Sequence, residues 1–295
     1  MKPMRTELDC LVCLYRQALN TARLATNSAK LQRRILTETA ALLPRLDPGL
    51  SPPENSIRLY RLIARLSGNP DPYAELKKTG NEHALRLRGR VKELISTAHD
   101  PLYTAILFAI AGNIIDHGAP RDFDLDQTID ECLRRTPAIN DYAQLKEDLK
   151  GAENILYLGD NCGELVFDGL LIELLPGMVT LALKEKPIIN DALPADARLC
   201  GLDKICRIIS NGTDCPGTPL NICGEEFKAA MAKADLIISK GQGNFETLSH
   251  LSGGPPLYFL LTTKCPIVAQ RAGEAAGTAA GIVNNGDTLL MRARF

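Results

Sequence analysis

The chain has 295 residues, a length typical of roughly two domains or of one large α/β unit. Its composition, 45% apolar and 23% charged, is that of a soluble globular protein and excludes a disordered or collagen-like chain. Lys and Arg total 34 against 35 for Asp and Glu, a net charge of −1, and Trp is absent. We therefore expect neither a nucleic acid nor an anionic membrane as partner, because those surfaces require basic patches or aromatic platforms.

The first half of the chain has the apolar spacing of helices. Asn27 is the candidate N-cap of the second helix, and Gly68 ends the third. The fifth pattern is apolar on nearly all sides, which predicts a buried central helix. The predicted helices cover 8–25, 28–46, 56–66, 72–97, 101–116, 125–135 and 141–150.

From residue 154 onward, short apolar runs alternate with helical or glycine-rich segments, which is typical of βαβ units. The predicted strands are 154–160, 178–184, 205–210, 235–240 and 256–263, and the helices between them 163–175, 191–199, 224–234 and 245–251. The sequence thus predicts an α/β fold with a mainly parallel, doubly wound, Rossmann-like sheet. We expect an all-helical domain over 1–150 and an α/β domain over 151–295 that binds metal and phosphate.

Two Asn–Asp pairs follow neighbouring strands of the predicted sheet, where ligands bind in open parallel sheets. Asp160 and Asn161 follow the first strand, and Asn190 and Asp191 lie in the loop after the second. Each pair alone is also a good helix cap. Two pairs at equivalent points favour a second interpretation, a cage of hard oxygen ligands for a divalent ion such as Mg²⁺ or Mn²⁺.

The fourth strand ends in Lys240, followed by glycine-rich backbone and a helix, the general form of a phosphate cradle. A P-loop is missing, and no GxGxxG sequence opens the first βα turn, which argues against a dinucleotide-binding fold. The polar segment 210–218 after the third strand is either a specificity loop or a linker. Asn113 and Asp116, polar residues on the apolar helix 101–116, either contact substrate or pack with satisfied hydrogen bonds.

Nine cysteines include one CxxC pair, Cys10 and Cys13. A second CxxC is missing, so core packing is favoured over metal binding as the account of the pair. The N-terminus has no apolar signal segment and the chain has no long apolar run, so we expect a cytoplasmic protein with reduced thiols.

Several motifs together resemble the damage-control phosphatase family, also known as domain of unknown function eighty-nine. They are LGDNCGELVFD, KPIINDAL and SKGQGNFETL, supported by CLVC, NPDPYAELKKTGN and GNIIDHG. The ordered set covers nearly the whole chain and is similar to the compact prokaryotic subfamily that carries CxxC. Cys162 departs mildly, since many relatives have alanine there.

The resemblance implies a helical domain packed on an α/β domain, and metal-dependent hydrolysis of small phosphomonoesters: sugar phosphates, nucleotides or damaged phosphometabolites. It also implies that Asp160, Asn161 and Asp191 hold the ion and that Lys240 contacts the phosphate. Backbone N–H groups near Gly163 and Gly241 would help to hold the phosphoryl group. Mg²⁺ or Mn²⁺ is the expected cofactor, with Ni²⁺ or Co²⁺ as further candidates.

The predicted site divides by role, with the general base left open between Asp160 and Asp191. The predicted metal ligands are Asp160, Asn161 and Asp191, the catalytic residues Asp160, Asp191 and Lys240, and the substrate contacts Asn113, Asp116, Gly163, Asn190, Gly241 and Asn244. Two alternatives remain. One is a methyltransferase using S-adenosylmethionine, and the other a non-catalytic metal- or metabolite-binding protein built on the cysteines.

Overall fold

The computed structural model describes residues 2–116, 135–279 and 281–294, without the side chains of 113–116. Within this part the helices match the predicted periodicity closely, while the helix expected over 125–135 lies outside the described residues. The α-helices are α1 (Leu8–Ala25), α2 (Ala29–Leu42), α3 (Pro52–Ser67), α4 (Ala74–Thr97), α5 (Pro101–Asp116), α6 (Tyr142–Asp148), α7 (Glu164–Ile172), α8 (Pro194–Leu199), α9 (Glu225–Lys233), α10 (Gln242–Leu248) and α11 (Pro266–Ala276).

Local sequence explains where the N-terminal helices begin and end. The cap of α2 is Ser28, whose Oγ accepts from the Leu31 amide at 3.4 Å, so the prediction of Asn27 is wrong by one residue. Ser51 and Glu54 form a reciprocal capping box at the start of α3. Gly68 ends α3 with φ of +70°, a left-handed conformation that favours glycine.

Seven strands of the described residues form one sheet in the order β1-β7-β6-β5-β2-β3-β4. The five strands β2 to β6 are mutually parallel, whereas β7 runs antiparallel to β6 and pairs in parallel with β1. The predicted α/β, mainly parallel fold is confirmed, and β1, β7 and α11 are additions to it. The strands are β1 (Ile139–Asn140), β2 (Asn154–Leu158), β3 (Met178–Leu183), β4 (Arg207–Ser210), β5 (Leu236–Lys240), β6 (Leu257–Thr262) and β7 (Thr288–Arg292).

Alternate residues of the central strands face opposite layers, as the period of two requires. Ile155 and Tyr157 of β2 join a cluster with α4, α5 and α7, while Leu156 and Leu158 join another with α9, α10 and α11. The sheet is therefore covered on both faces, in the doubly wound manner predicted.

Helices α1, α2 and α3 pack together around a third cluster, centred on Leu14, Ile35 and Leu59. Helices α4 and α5 share the core of the sheet, and β1 joins the sheet through β7. The boundary near residue 150 stays a prediction. No helix in the described part of the chain is long and apolar enough to cross a membrane.

Candidate functional site

The two Asn–Asp pairs meet at the carboxyl edge of the sheet. Asn161 and Asp191 form an isolated antiparallel bridge. The Cys162 amide donates to the Asn190 carbonyl at 2.9 Å, and the Ala192 amide donates to the Asp160 carbonyl at 2.8 Å. The loops after β2 and β3 are thus joined by backbone hydrogen bonds, which bring the Asp160, Asn161 and Asp191 side chains to one place.

Neither pair caps a helix in the structure. The N-cap of α7 is Gly163, without a side-chain cap, and that of α8 is Leu193, whose amide donates to Asp196. The capping interpretation of Asp160 and Asp191 is therefore wrong. Ile189, just before the second pair, has φ of +38°, which a β-branched residue rarely adopts. Such strain is typical of functional sites.

The carboxylates of the site are almost completely buried. Asn161 Nδ2 donates to Asp160 Oδ2 at 2.9 Å and to Glu164 Oε1 at 2.8 Å, so its amide oxygen is turned away from both carboxylates. Asp191 is 1% exposed, yet neither of its carboxylate oxygens has a hydrogen-bond partner. A buried carboxylate without donors is costly unless a cation compensates it.

Lys184, at the end of β3, is the nearest buried cation to Asp191. Its Nζ lies 3.7 Å from Asp191 Oδ2 and donates to the Gly217 carbonyl at 2.8 Å and to Asn244 Oδ1 at 3.3 Å. The sequence placed this lysine at a strand end but did not assign it to the site. Its position at a strand end is the sequence feature that could have identified it.

Lys240 has its own carboxylate partners beneath the site. Its Nζ donates to Asp168 Oδ1 at 2.7 Å and to Glu164 Oε2 at 3.0 Å, and the Tyr157 hydroxyl also donates to Asp168 Oδ1 at 2.7 Å. Lys240 is 1% exposed. Through Glu164 it is linked to Asn161, so the structure places it in a supporting network around the predicted ligands.

The buried carboxylates at this edge of the sheet outnumber the buried ammonium groups. Four carboxylates against two ammonium groups leave two negative charges, the complement of a divalent cation. The six buried groups are Asp160, Glu164, Asp168, Asp191, Lys184 and Lys240. Metal ligation is one of the few ways in which proteins keep such charge inside.

The pKa values of these acids reflect the same excess. Burial raises the pKa of Asp160 to about 6, Glu164 adds to the rise, and the charges of Lys264, Lys184 and Lys240 oppose it. Burial also raises the pKa of Asp191 well above its usual value, with Lys184 opposing. Lys264 is exposed, follows β6, and acts on both carboxyl groups although the sequence did not single it out.

The donor set fits a hard divalent ion. Asp160, Asn161 and Asp191 offer two carboxylates and an amide oxygen, the ligand types of Mg²⁺ and Mn²⁺, and the Asp191 oxygens accept no hydrogen bond. In the described residues no group of three or more His, Cys, Asp or Glu side chains could hold a metal ion. The proposed set contains only two such residues, and waters and substrate would have to complete it.

Three further predicted residues brace the site. The Gly163 amide donates to Asn81 Oδ1 at 2.7 Å, and the Gly241 amide donates to the Leu260 carbonyl at 3.0 Å. Asn244 Nδ2 donates to the Lys240 carbonyl at 2.8 Å. The Gly163 and Gly241 amides and Asn244 Nδ2 thus donate to groups of the protein itself. The side chains of Asn113 and Asp116, also predicted to contact substrate, lie outside the described part.

Gly241 is required where it approaches Asp160. Its φ is +82°, and a Cβ added there would lie 2.1 Å from Asp160 Oδ2. We expect Gly241→Ala to displace this carboxylate and to weaken Mn²⁺ binding at least about 10-fold, measured by calorimetry. Gly201→Ala is the matched control, because Gly201 has φ of +79° with open space around it. Equal losses in both variants would assign the effect to backbone strain alone.

The CxxC pair lies on the first turns of α1. Cys10 is buried and Cys13 exposed, and Gln17 Nε2 donates to Cys13 Sγ at 3.2 Å. Burial raises the pKa of the Cys10 thiol to about 11. A thiol of this kind is a poor nucleophile at neutral pH.

Comparison with known proteins agrees with this architecture. The model of the damage-control phosphatase ARMT1-like domain matches residues 6–279. Damage-control phosphatase PH1575 of Pyrococcus horikoshii is 37% identical over 90% of this chain and 94% of its own length. A damage-control phosphatase of Archaeoglobus fulgidus is 33% identical over 91% and 95% of the two chains.

Structural similarity extends over nearly the whole chain. The crystal structure of a DUF89 family protein from Pyrococcus horikoshii superposes with a TM-score of 0.89 at 34% identity, covering 99% of this chain and all of the other. The match of the family model and the near-full-length relatives together lead to one conclusion. This chain belongs to the damage-control phosphatase family.

Proposed function

We propose that this protein is a metal-dependent phosphatase that hydrolyses small phosphomonoesters: sugar phosphates, nucleotides or damaged phosphometabolites. Family membership supports the coarser statement, a phosphatase role in metabolite repair. The observation that carries the metal dependence is Asp191, a buried carboxylate with no hydrogen-bond donor, in a site with two more buried carboxylates than buried ammonium groups. Membership of the compact subfamily with CxxC is part of the proposal and rests on Cys10 and Cys13.

Asp160, Asn161 and Asp191 would hold the ion, Mg²⁺ or Mn²⁺ in the first place. When bound, such an ion supplies Lewis-acid polarisation of phosphate oxygens and activation of water. Lys184 orients Asp191 from 3.7 Å, and Lys240 orients Asn161 through Glu164. These contacts fix the ligand side chains before substrate arrives, which is the usual contribution of groups behind a metal site.

Lys264 is the exposed cation that we assign to the substrate phosphate. Its charge reaches both Asp160 and Asp191, while the ammonium group of Lys240 is shared between Glu164 and Asp168. We expect Lys264→Met to raise the KM for a phosphomonoester about 10-fold or more, since a charge-assisted contact is lost. Lys204→Met, a change at an exposed lysine between α8 and β4, is the control. An unchanged KM in Lys264→Met would remove this residue from the site.

The function is tested by phosphate release from a panel of sugar phosphates and nucleotides. Purified protein is assayed with Mg²⁺, Mn²⁺, Ni²⁺ or Co²⁺ and with EDTA. We expect release with at least one metal and its loss in EDTA. No release with any metal would refute the phosphatase, and a tight S-adenosylmethionine complex would then favour the methyltransferase. Stoichiometric Zn²⁺ lost in Cys10→Ser would favour the cysteine-based binding protein. A cytoplasmic location stays an expectation.

A further inference from the structure

The segment 211–218, between β4 and α9, contacts residues of the predicted site. The Gly217 carbonyl accepts from Lys184 Nζ at 2.8 Å, and Thr218 Oγ1 donates to Asn244 Oδ1 at 2.7 Å. The Thr218 amide also donates to Thr247 Oγ1 at 2.8 Å. The segment therefore fixes two side chains behind Asp191. The sequence left open whether it is a specificity loop or a linker, and these contacts tie it to the site.

A bidentate ion pair joins this segment to the N-terminal helices. Arg61 of α3 donates from Nε to Asp214 Oδ2 and from Nη2 to Asp214 Oδ1, both at 2.7 Å. Burial acts to raise the pKa of Asp214, but the hydrogen bonds and charge of Arg61 hold it below its usual value. The Asp214 side chain is only 16% exposed. Two parallel hydrogen bonds to a carboxylate fix its orientation as well as its position.

Arg61 lies among other arginines, so its positive charge would be unfavourable there without the Asp214 carboxylate. Arg58 and Arg65 lie three residues before it and four after it on α3. A surface groove of about 340 Å³ is lined by four arginines and one acid: Arg45, Arg58, Arg61, Arg65 and Glu38. Like charges at such spacings destabilise a helix. Asp214 supplies the opposing charge from across the chain, 153 residues later.

We propose that Arg61 is a positioning residue of the active site and that it acts through Asp214 on the segment 211–218. The path consists of contacts described above: Arg61 holds Asp214, the segment presents its Gly217 carbonyl to Lys184, and Lys184 faces Asp191. This inference rests on the proposed function, since the activity that it tunes is metal-dependent phosphate release. It assigns a role at the site to a surface residue of the helical region.

The test compares Arg61→Ala and Arg61→Lys with Arg207→Ala. Arg207 makes a similar 2.7 Å ion pair with Glu226, but at the start of β4, away from the site, with both partners exposed. Phosphate release from p-nitrophenyl phosphate is followed as Mn²⁺ is titrated. In Arg61→Ala we expect the Mn²⁺ activation constant to rise roughly 5-fold while kcat at saturating Mn²⁺ stays within about 2-fold. Arg61→Lys should lie between wild type and Arg61→Ala, and Arg207→Ala should match wild type.

Hydrogen exchange measures the same effect without activity. In Arg61→Ala the amides of Thr213, Asp214, Cys215 and Gly217 should exchange roughly 5-fold faster, while those of β2 are unchanged. Asp214→Asn should reproduce both effects, and the double variant should be no worse than either single one. Unchanged exchange at these four amides, or additive losses in the double variant, would overturn the inference and leave the phosphatase standing. If wild type releases no phosphate, the proposed function fails, and exchange still decides whether Arg61 holds the segment.

Discussion

Asp191→Asn is expected to lower metal-dependent phosphate release by a factor of about 10³ or more, because a metal contributes several kcal/mol through its ligands. The substitution keeps the shape of the side chain and removes its charge. Asp191 is a buried carboxylate that accepts no hydrogen bond from the protein. We therefore expect its charge to matter most for binding the ion. Phosphate release with saturating Mn²⁺ and calorimetric Mn²⁺ titration together measure the loss.

The same variant has a second signature, in stability. Burial raises the pKa of Asp191, so in metal-free protein its carboxylate form opposes folding at neutral pH, and a neutral isostere removes that cost. We therefore expect Asp191→Asn in EDTA to melt no lower than wild type, and to lose the rise in Tm that Mn²⁺ gives wild type. Asp203→Asn, at an exposed aspartate between α8 and β4, should change neither property. Full activity in Asp191→Asn would exclude Asp191 as a ligand.

Much of the α/β region follows from local sequence. The runs that form β2, β3, β5 and β6 are apolar and end in polar residues, so both their positions and their functional ends were predictable. The short β1 has two residues and owes its place to pairing with β7, a non-local contact that no local pattern indicates. The cap of α2 differed by one residue because Ser28 and Asn27 are both good caps.

The positions of the candidate site residues were predictable where they follow strand ends and not where they depend on the register of a helix. Asp160, Asn161 and Asp191 follow strands, and the structure brings them together. Glu164 and Asp168 lie on one face of α7 and point back at Lys240, which the sequence alone does not reveal because α7 is apolar on most sides. Glu164 and Asp168 meet Lys240 only through the tertiary packing of α7.

Lys240→Met is the change expected to cost most stability, about 3–5 kcal/mol at neutral pH, because it leaves Glu164 and Asp168 buried without their cation. Methionine fills a similar length without charge. The free energy of unfolding, measured by urea denaturation in EDTA, reports the loss. Lys146→Met is the control, since Lys146 pairs with Asp100 at 3.3 Å and is largely exposed, and we expect less than about 1 kcal/mol there.

The pH dependence separates lost charge from lost packing in Lys240→Met. Burial already raises the pKa of Asp168 to about 6 while Lys240 opposes it, so removing the lysine raises this pKa further. A carboxyl group whose pKa is higher in the folded than in the unfolded state stabilises the folded protein at low pH. That contribution is lost as the pH rises through the pKa of the folded state. The deficit of the variant should therefore be smaller at pH 5 than at pH 8, and Asp168→Asn added to it should restore part of the loss. An equal deficit at both pH values would mean that packing, and not the buried charges, accounts for the role of Lys240.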